Sequence, residues 1–236
     1  MIYPLIITAL SPLLLLQGLH VRKVTPRLPE PHGERSGESG AGPALRLLIL
    51  GDSAAAGVGV AHQSEALSGQ LSNELACNFK LSWQLSAKNG FKSQNIVELL
   101  EKKPLKVFDA VLISIGVNDV TGGTSQKKWL ALQLQIIELL TVKFSTQQII
   151  FTALPPMHCF PALPQPLRWV FGLRAKQLNR CLQKMIIDKS NCTFLQLQTP
   201  MKAEYIAEDG FHPSAKTYTL WAQEAAKRIK INRQTV

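Results

Sequence analysis

Three short stretches of this chain hold residue types that could do chemistry together. ILGDSAAAGVGV, residues 49–60, leaves a run of apolar β-formers on Gly51-Asp52-Ser53 and continues with alanines and glycines. SIGVND, residues 114–119, puts Asn118 just past a second apolar run, where an amide can point into a cleft. DGFHP, residues 209–213, sets Asp209 and His212 three apart, so that one turn presents a carboxylate and an imidazole together. A serine hydroxyl beside such a pair is the arrangement of nucleophilic catalysis: the imidazole takes the proton and the carboxylate orients the imidazole. Other readings stand beside this one. A small-residue turn can cradle a phosphate, but GVGVAH lacks the third glycine of the dinucleotide fingerprint, and no Walker lysine follows. Small residues also allow tight strand–helix packing, which accounts for Ala54 to Gly59 but not for Asp52-Ser53. Asp209 could instead merely cap a helix, and His212 could be an ordinary loop histidine, but these are the lesser readings. Asp52 and Asp119 read as structural hydrogen-bonding groups, and His62 and His158 as non-catalytic.

These residues need a scaffold, and the sequence from residue 45 onward supplies one by alternating short β-rich runs with helical patterns. Leu45 to Leu50, Leu81 to Ala87, Ala110 to Ile115, Gln148 to Leu154 and Thr193 to Leu197 read as strands. Leu67, Leu71 and Leu75 mark one face of a helix, and Ile96, Val97, Leu99 and Leu100 suit a short one. Trp129, Leu132, Ile136, Leu139 and Leu140 line another, which Thr124 or Ser125 could cap. Leu173 to Ile187 and Ala215 to Ile229 complete the helices. Continuous apolar strands alternating with helices predict a parallel sheet covered on both faces. Sites in such folds lie at the carboxyl ends of the strands. That rule gathers Ser53, Gly90, Asn118, Asp209 and His212 on one rim.

The same residues resemble the SGNH, or GDSL, hydrolase family. Gly51-Asp52-Ser53, Gly90 in AKNG, Gly116-Val117-Asn118-Asp119 and Asp209-Gly210-Phe211-His212 match its four blocks in order, over roughly 46–215. One departure is Ala54, where the family often has leucine; that position is not catalytic. The resemblance implies a three-layer α/β/α, flavodoxin-like fold and a serine esterase or lipase acting on carboxylic esters. It implies Ser53 as nucleophile, His212 as general base, and Asp209 as the group that fixes the imidazole. The Ser53 and Gly90 N–H groups and the Asn118 side chain would form the oxyanion hole. An acyltransferase using the same triad, or a non-catalytic binding module on the same fold, are the alternatives. No cofactor or metal is required.

Composition bounds the rest. A chain of 236 residues fills one domain, and its formal net charge is +10. The basic residues are scattered, with no aromatic-interleaved stripe, so nucleic acid is not expected as a partner. Cys77, Cys159, Cys181 and Cys192 form no CxxC pair and read as reduced thiols. Residues 1–18 carry no charge, and His20, Arg22, Lys23 and Arg27 follow. Residues 1–19 therefore read as an uncleaved membrane anchor, or alternatively a signal peptide. A spanning anchor would leave the domain on the cytoplasmic side; a signal would export it. Residues 20–44, rich in Pro, Gly, Ser and Glu, read as a flexible tether, and 45–236 as the hydrolase domain. The expected partners are an ester or acylated small molecule or lipid, and a membrane through the N-terminal segment. The proline-rich stretch 155–175 reads as a rigid apolar loop near the rim, shaping a pocket, dipping into a membrane, or simply packed.

Overall fold

The computed structural model describes residues 2–198 and 202–234; Met1, 199–201 and 235–236 lie outside the described residues. The chain opens with α1 (Ile2–Val24) and β1 (Ser36–Ser39), followed by β2 (Ala44–Gly51) and the single turn α2 (Ser53–Ala56). Next come α3 (Leu67–Ala76), β3 (Lys80–Ala87), α4 (Ser93–Lys102), β4 (Ala110–Ser114) and another short turn, α5 (Val117–Thr121). The last elements are α6 (Gln126–Glu138), β5 (Gln148–Thr152), α7 (Leu167–Ile186), β6 (Cys192–Leu195) and α8 (Ala215–Gln234).

Six strands form one sheet in the order β1-β3-β2-β4-β5-β6, parallel except for β1, which runs antiparallel to β3. Strand alternation sends side chains to opposite faces. Leu48, Leu50, Val111, Ile113, Ile149 and Phe151 pack with α4, α6 and α7 on one side. Leu47, Ile49, Leu112 and Ile150 pack with α3 and α8 on the other, against Leu71, Tyr218 and Trp221. The result is the expected three-layer α/β/α sandwich, with the strand ends β2, β3 and β4 opening on one rim. Ser125, one of the two expected caps for α6, does cap it, accepting from the Lys128 N–H at 3.2 Å.

The segment before β2 differs most from expectation. Within the stretch read as a flexible tether, Ser36–Ser39 add a strand to the sheet edge. Glu30 is an ion-pair partner of Arg35 at 2.8 Å and also accepts the Asn89 N–H at 2.7 Å. The Arg35 guanidinium donates in addition to the Ala87 carbonyl. This part of the chain is thus fastened to the β3–α4 loop. Helix α1 lies against the domain: Val21 joins the core beside α4, α6 and α7, and Leu14 packs on it. Gln17 bonds to the backbone on either side of Pro166, through the Gln165 carbonyl at 2.6 Å and the Leu167 N–H at 3.1 Å. Among the described residues, no helix is long and apolar enough to cross a membrane.

Candidate active site

Gly51 ends β2 because it can have no side chain: a Cβ there would lie 2.1 Å from the Ser114 carbonyl oxygen of β4. The chain then turns at Asp52, which caps α2 by accepting the Ala54 N–H at 3.1 Å, so Ser53 becomes the first helical residue. This turn sets the Ser53 hydroxyl at the rim, and the left-handed Gly57 (φ 97°) ends the helix at once. Ser53 Oγ lies 2.8 Å from His212 Nε2. His212 Nδ1 lies 2.5 Å from Asp209 Oδ2. Because an ionised carboxylate only accepts, it keeps the proton on Nδ1 and leaves the Nε2 lone pair facing the serine.

Asp209 holds its own turn together, its Oδ1 accepting the N–H groups of Phe211 at 2.9 Å and His212 at 3.0 Å. Its side chain is 1 % exposed, against 22 % for that of His212. Burial alone would raise the carboxyl pKa, but the hydrogen bonds from the imidazole and the two backbone N–H groups outweigh it and hold the pKa below its ordinary value. Asp209 therefore does more than close its turn: it also holds the imidazole that faces Ser53.

Asn118 sits in α5, which starts from Gly116 in a conformation that side chains rarely adopt (φ 128°). Its amide donates one hydrogen to the Phe91 carbonyl at 2.9 Å. That bond ties Asn118 to the loop carrying Gly90 and leaves its second hydrogen available. Gly90 has φ 82°, and a Cβ there would meet nothing within 4 Å, so the space beside it is open. Asp119 fixes this arrangement from below. Its Oδ2 accepts from the Ser93 N–H at 2.9 Å and the Ser93 hydroxyl at 2.7 Å, and its Oδ1 from the Thr124 hydroxyl at 3.0 Å. The start of α4 is thereby joined to α5, a structural role as expected. Ser93 was not singled out by the sequence, because a serine opening a helix carries no chemical signature.

Residues 49–220 match the GDSL-like lipase/acylhydrolase family. The chain belongs to that family. It is a serine hydrolase of the GDSL type, acting on ester bonds. No curated protein sequence matches it. Among solved structures it resembles the lipase Lip_vut3 from a goat rumen metagenome, at 18 % identity and TM-score 0.61, covering 77 % of this chain and 96 % of that one. The psychrotrophic esterase EstA from Pseudoalteromonas sp. is similar at 20 % identity and TM-score 0.61, covering 80 % and 98 %. The acetylxylan esterase Axe2 from Geobacillus stearothermophilus follows at 19 % identity and TM-score 0.59, covering 80 % and 95 %. At these identities the likeness is one of fold.

Two further features surround the site of this GDSL hydrolase. Asp52 is fully buried, and that burial pushes its carboxyl pKa up to about 7, against the pull of the Ala54 N–H and of His212. The stretch 155–175 is packed rather than open: Met157, Phe160, Leu163 and Leu167 are buried. Phe160 meets Phe211 edge to face, ring centres 5.6 Å apart, and Ala162 lies against Gly210. This segment braces the Asp209–His212 turn from behind. His62 forms a bridge with His32, and His158 lies in the turn 157–159. Neither reaches the site. Among the described residues no cluster could hold a metal ion.

A cleft of about 330 Å³ opens beside the imidazole, between Asn89, Phe211 and His212 on one side and residues of 22–28 on the other. A larger hollow of about 560 Å³ lies between α6 and the loop before β6, lined by Glu138 and Asn191 among others. That hollow is at the opposite ends of the strands and contains none of the site residues, so chemistry selects the smaller cleft. The contribution of residues 22–28 was not legible in the sequence, where Arg22 and Arg27 look like the charged flank of an apolar segment.

Proposed function

We propose that this enzyme hydrolyses carboxylic esters through an acyl-enzyme on Ser53. The supporting observation is the continuous chain Ser53 Oγ–His212 Nε2, His212 Nδ1–Asp209 Oδ2, at 2.8 and 2.5 Å. In acylation, Oγ attacks the ester carbonyl carbon while its proton passes to Nε2. The carbonyl oxygen gains negative charge and is met by the Ser53 and Gly90 N–H groups and the free hydrogen of the Asn118 amide. The carbon–oxygen bond to the alcohol then breaks, and Nε2 gives its proton to the departing oxygen. Water attacks the acyl-serine, Nε2 takes its proton, and the acid leaves as Oγ recovers its hydrogen. Asp209 stays ionised throughout and stabilises the transient imidazolium.

We further propose that the enzyme works at a lipid surface. Leu14, Gln17 and Val21 face the domain at helical spacing, while Leu13, Leu15, Leu16 and Leu19 are exposed, with Arg22 and Lys23 following. An amphipathic helix of this kind lies on an anionic bilayer rather than through it. Flotation with vesicles containing anionic lipid should carry the full chain, and weaker flotation after L15Q/L16Q/L19Q is the expected control.

The catalytic test is Ser53→Ala. Turnover of p-nitrophenyl esters and labelling by a fluorophosphonate should both disappear while the circular dichroism spectrum stays unchanged. A folded Ser53→Ala protein that retains wild-type turnover would refute the proposed mechanism.

A further inference from the structure

The cleft beside His212 is built from both ends of the chain. Arg22, Thr25 and Arg27 come from the end of α1 and the segment after it, Phe211 and His212 from the catalytic turn, and Asn89 from the loop of Gly90. The arm is not a loose flap. It is pinned before the cleft by Val21 in the core and by Gln17 on Gln165 and Leu167. It is pinned after the cleft by Glu30, which accepts the Asn89 N–H and pairs with Arg35.

The charges in this cleft are one-sided. Its acidic member, Asp209, is buried and committed to His212. The nearby Glu30 is committed to Arg35 and Asn89. Arg22 and Arg27, both exposed, have no carboxylate partner among the described residues. Two unpaired guanidiniums at the edge of a cleft present planar donor forks suited to a carboxylate or phosphate.

The cleft also has a definite place in the reaction. Its lining includes His212 but neither Ser53 nor Asn118. His212 lines the cleft and would give its proton to the leaving oxygen, so a departing alcohol has this space beside it.

We propose that this cleft holds the alcohol portion of esters bearing a negatively charged group, and that Arg22 and Arg27 bind that group. The inference rests on the Ser53 hydrolase reading and names the substrate class for it. The arginines raise kcat/KM for anionic esters by attraction and by aligning the leaving oxygen with Nε2. Because both are solvent-exposed, each contributes only a few-fold, and together roughly five- to tenfold.

Three acetyl esters test this on the full chain: 4-acetoxybenzoate, 4-acetoxyphenyl phosphate and the neutral 4-acetoxybenzamide. Each kcat/KM is divided by the ester's own hydroxide-catalysed rate, so that leaving-group reactivity cancels. The wild type should prefer at least one anion over the amide by roughly five- to tenfold at low salt, the preference shrinking as salt is added. Preference for the phosphate alone, the carboxylate alone, or both identifies which anion the arginines take. Arg22→Gln with Arg27→Gln should bring the ratio close to one, and Arg22→Lys with Arg27→Lys should keep part of it. A wild-type ratio near one, or one that salt leaves untouched, overturns the proposal even if the glutamine variant fails to fold. Turnover of the amide under that outcome leaves the hydrolase reading standing. Absence of turnover on all three esters together with no fluorophosphonate labelling defeats that reading, and this inference with it.

Discussion

Replacing Asp52 by asparagine should change how stability depends on pH. The carboxyl pKa is about 7 in the folded protein, because the group is fully buried. In the unfolded chain it returns to about 3.9. Between those values the folded state binds a proton that the unfolded state has released, so stability falls as pH rises through that window. The penalty is absent below about pH 4 and complete above about pH 7. Three pKa units correspond to roughly 4 kcal/mol, and full burial leaves no solvent to screen it. Asparagine does not titrate, and its side-chain oxygen can still accept the Ala54 N–H that caps α2. The free-energy difference between Asp52→Asn and wild type should therefore move by about 4 kcal/mol in favour of the variant from pH 4 to pH 8. Urea unfolding at half-unit pH intervals, with equal m-values for both proteins, measures this directly. Parallel curves across the window would refute the argument, since they would mean that Asp52 releases its proton equally easily folded and unfolded.

Three other outcomes are expected. Asn118→Ala removes one oxyanion donor and should lower kcat by about 10²–10³ while leaving the protein folded and still labelled by fluorophosphonate. Phe160→Ala withdraws the ring braced against Phe211 and should cost about 3–5 kcal/mol, measured by urea unfolding, with a fall in kcat as the catalytic turn loosens. Asp209→Asn should lower kcat/KM by several orders of magnitude, the variant remaining folded by circular dichroism. Because the Asp209 pKa is depressed, wild type has a stabilisation that is fully present above the ordinary carboxylate pKa and lost as pH falls through the lower folded value. The variant's unfolding curve should lack that acid limb.

The sheet was legible because buried parallel strands tolerate few polar side chains on either face. LLIL in β2 and AVLI in β4 state this directly. The catalytic residues were legible for a related reason: Gly51, Gly116 and Gly90 occupy places where backbone geometry or close approach admits little else, so each motif carries its own turn. What stayed hidden depends on distant partners. SGES in β1 has no strand pattern, and its backbone pairs only because the β3 edge lies beside it. The uncharged start of the chain has the same composition whether it enters a bilayer or lies on a protein surface. Val21 in the core, Leu14 packed on it and Gln17 bonded around Pro166 are contacts that composition does not reveal. Helix α7 begins at Leu167 rather than Leu173, because its first turn, LRWVF, follows three prolines and its aromatic residues obscure the helical period.

The serine and the histidine that must meet are separated by 159 positions. Everything between them, four crossovers of the sheet included, has to be in place before Nε2 can reach Oγ. During synthesis, the ribosome releases the serine 159 positions ahead of the histidine. Until His212 emerges, the nascent chain therefore carries a Ser53 hydroxyl with no imidazole beside it. A chain that stops upstream of Asp209 lacks both side chains that meet Ser53 in this line of contacts.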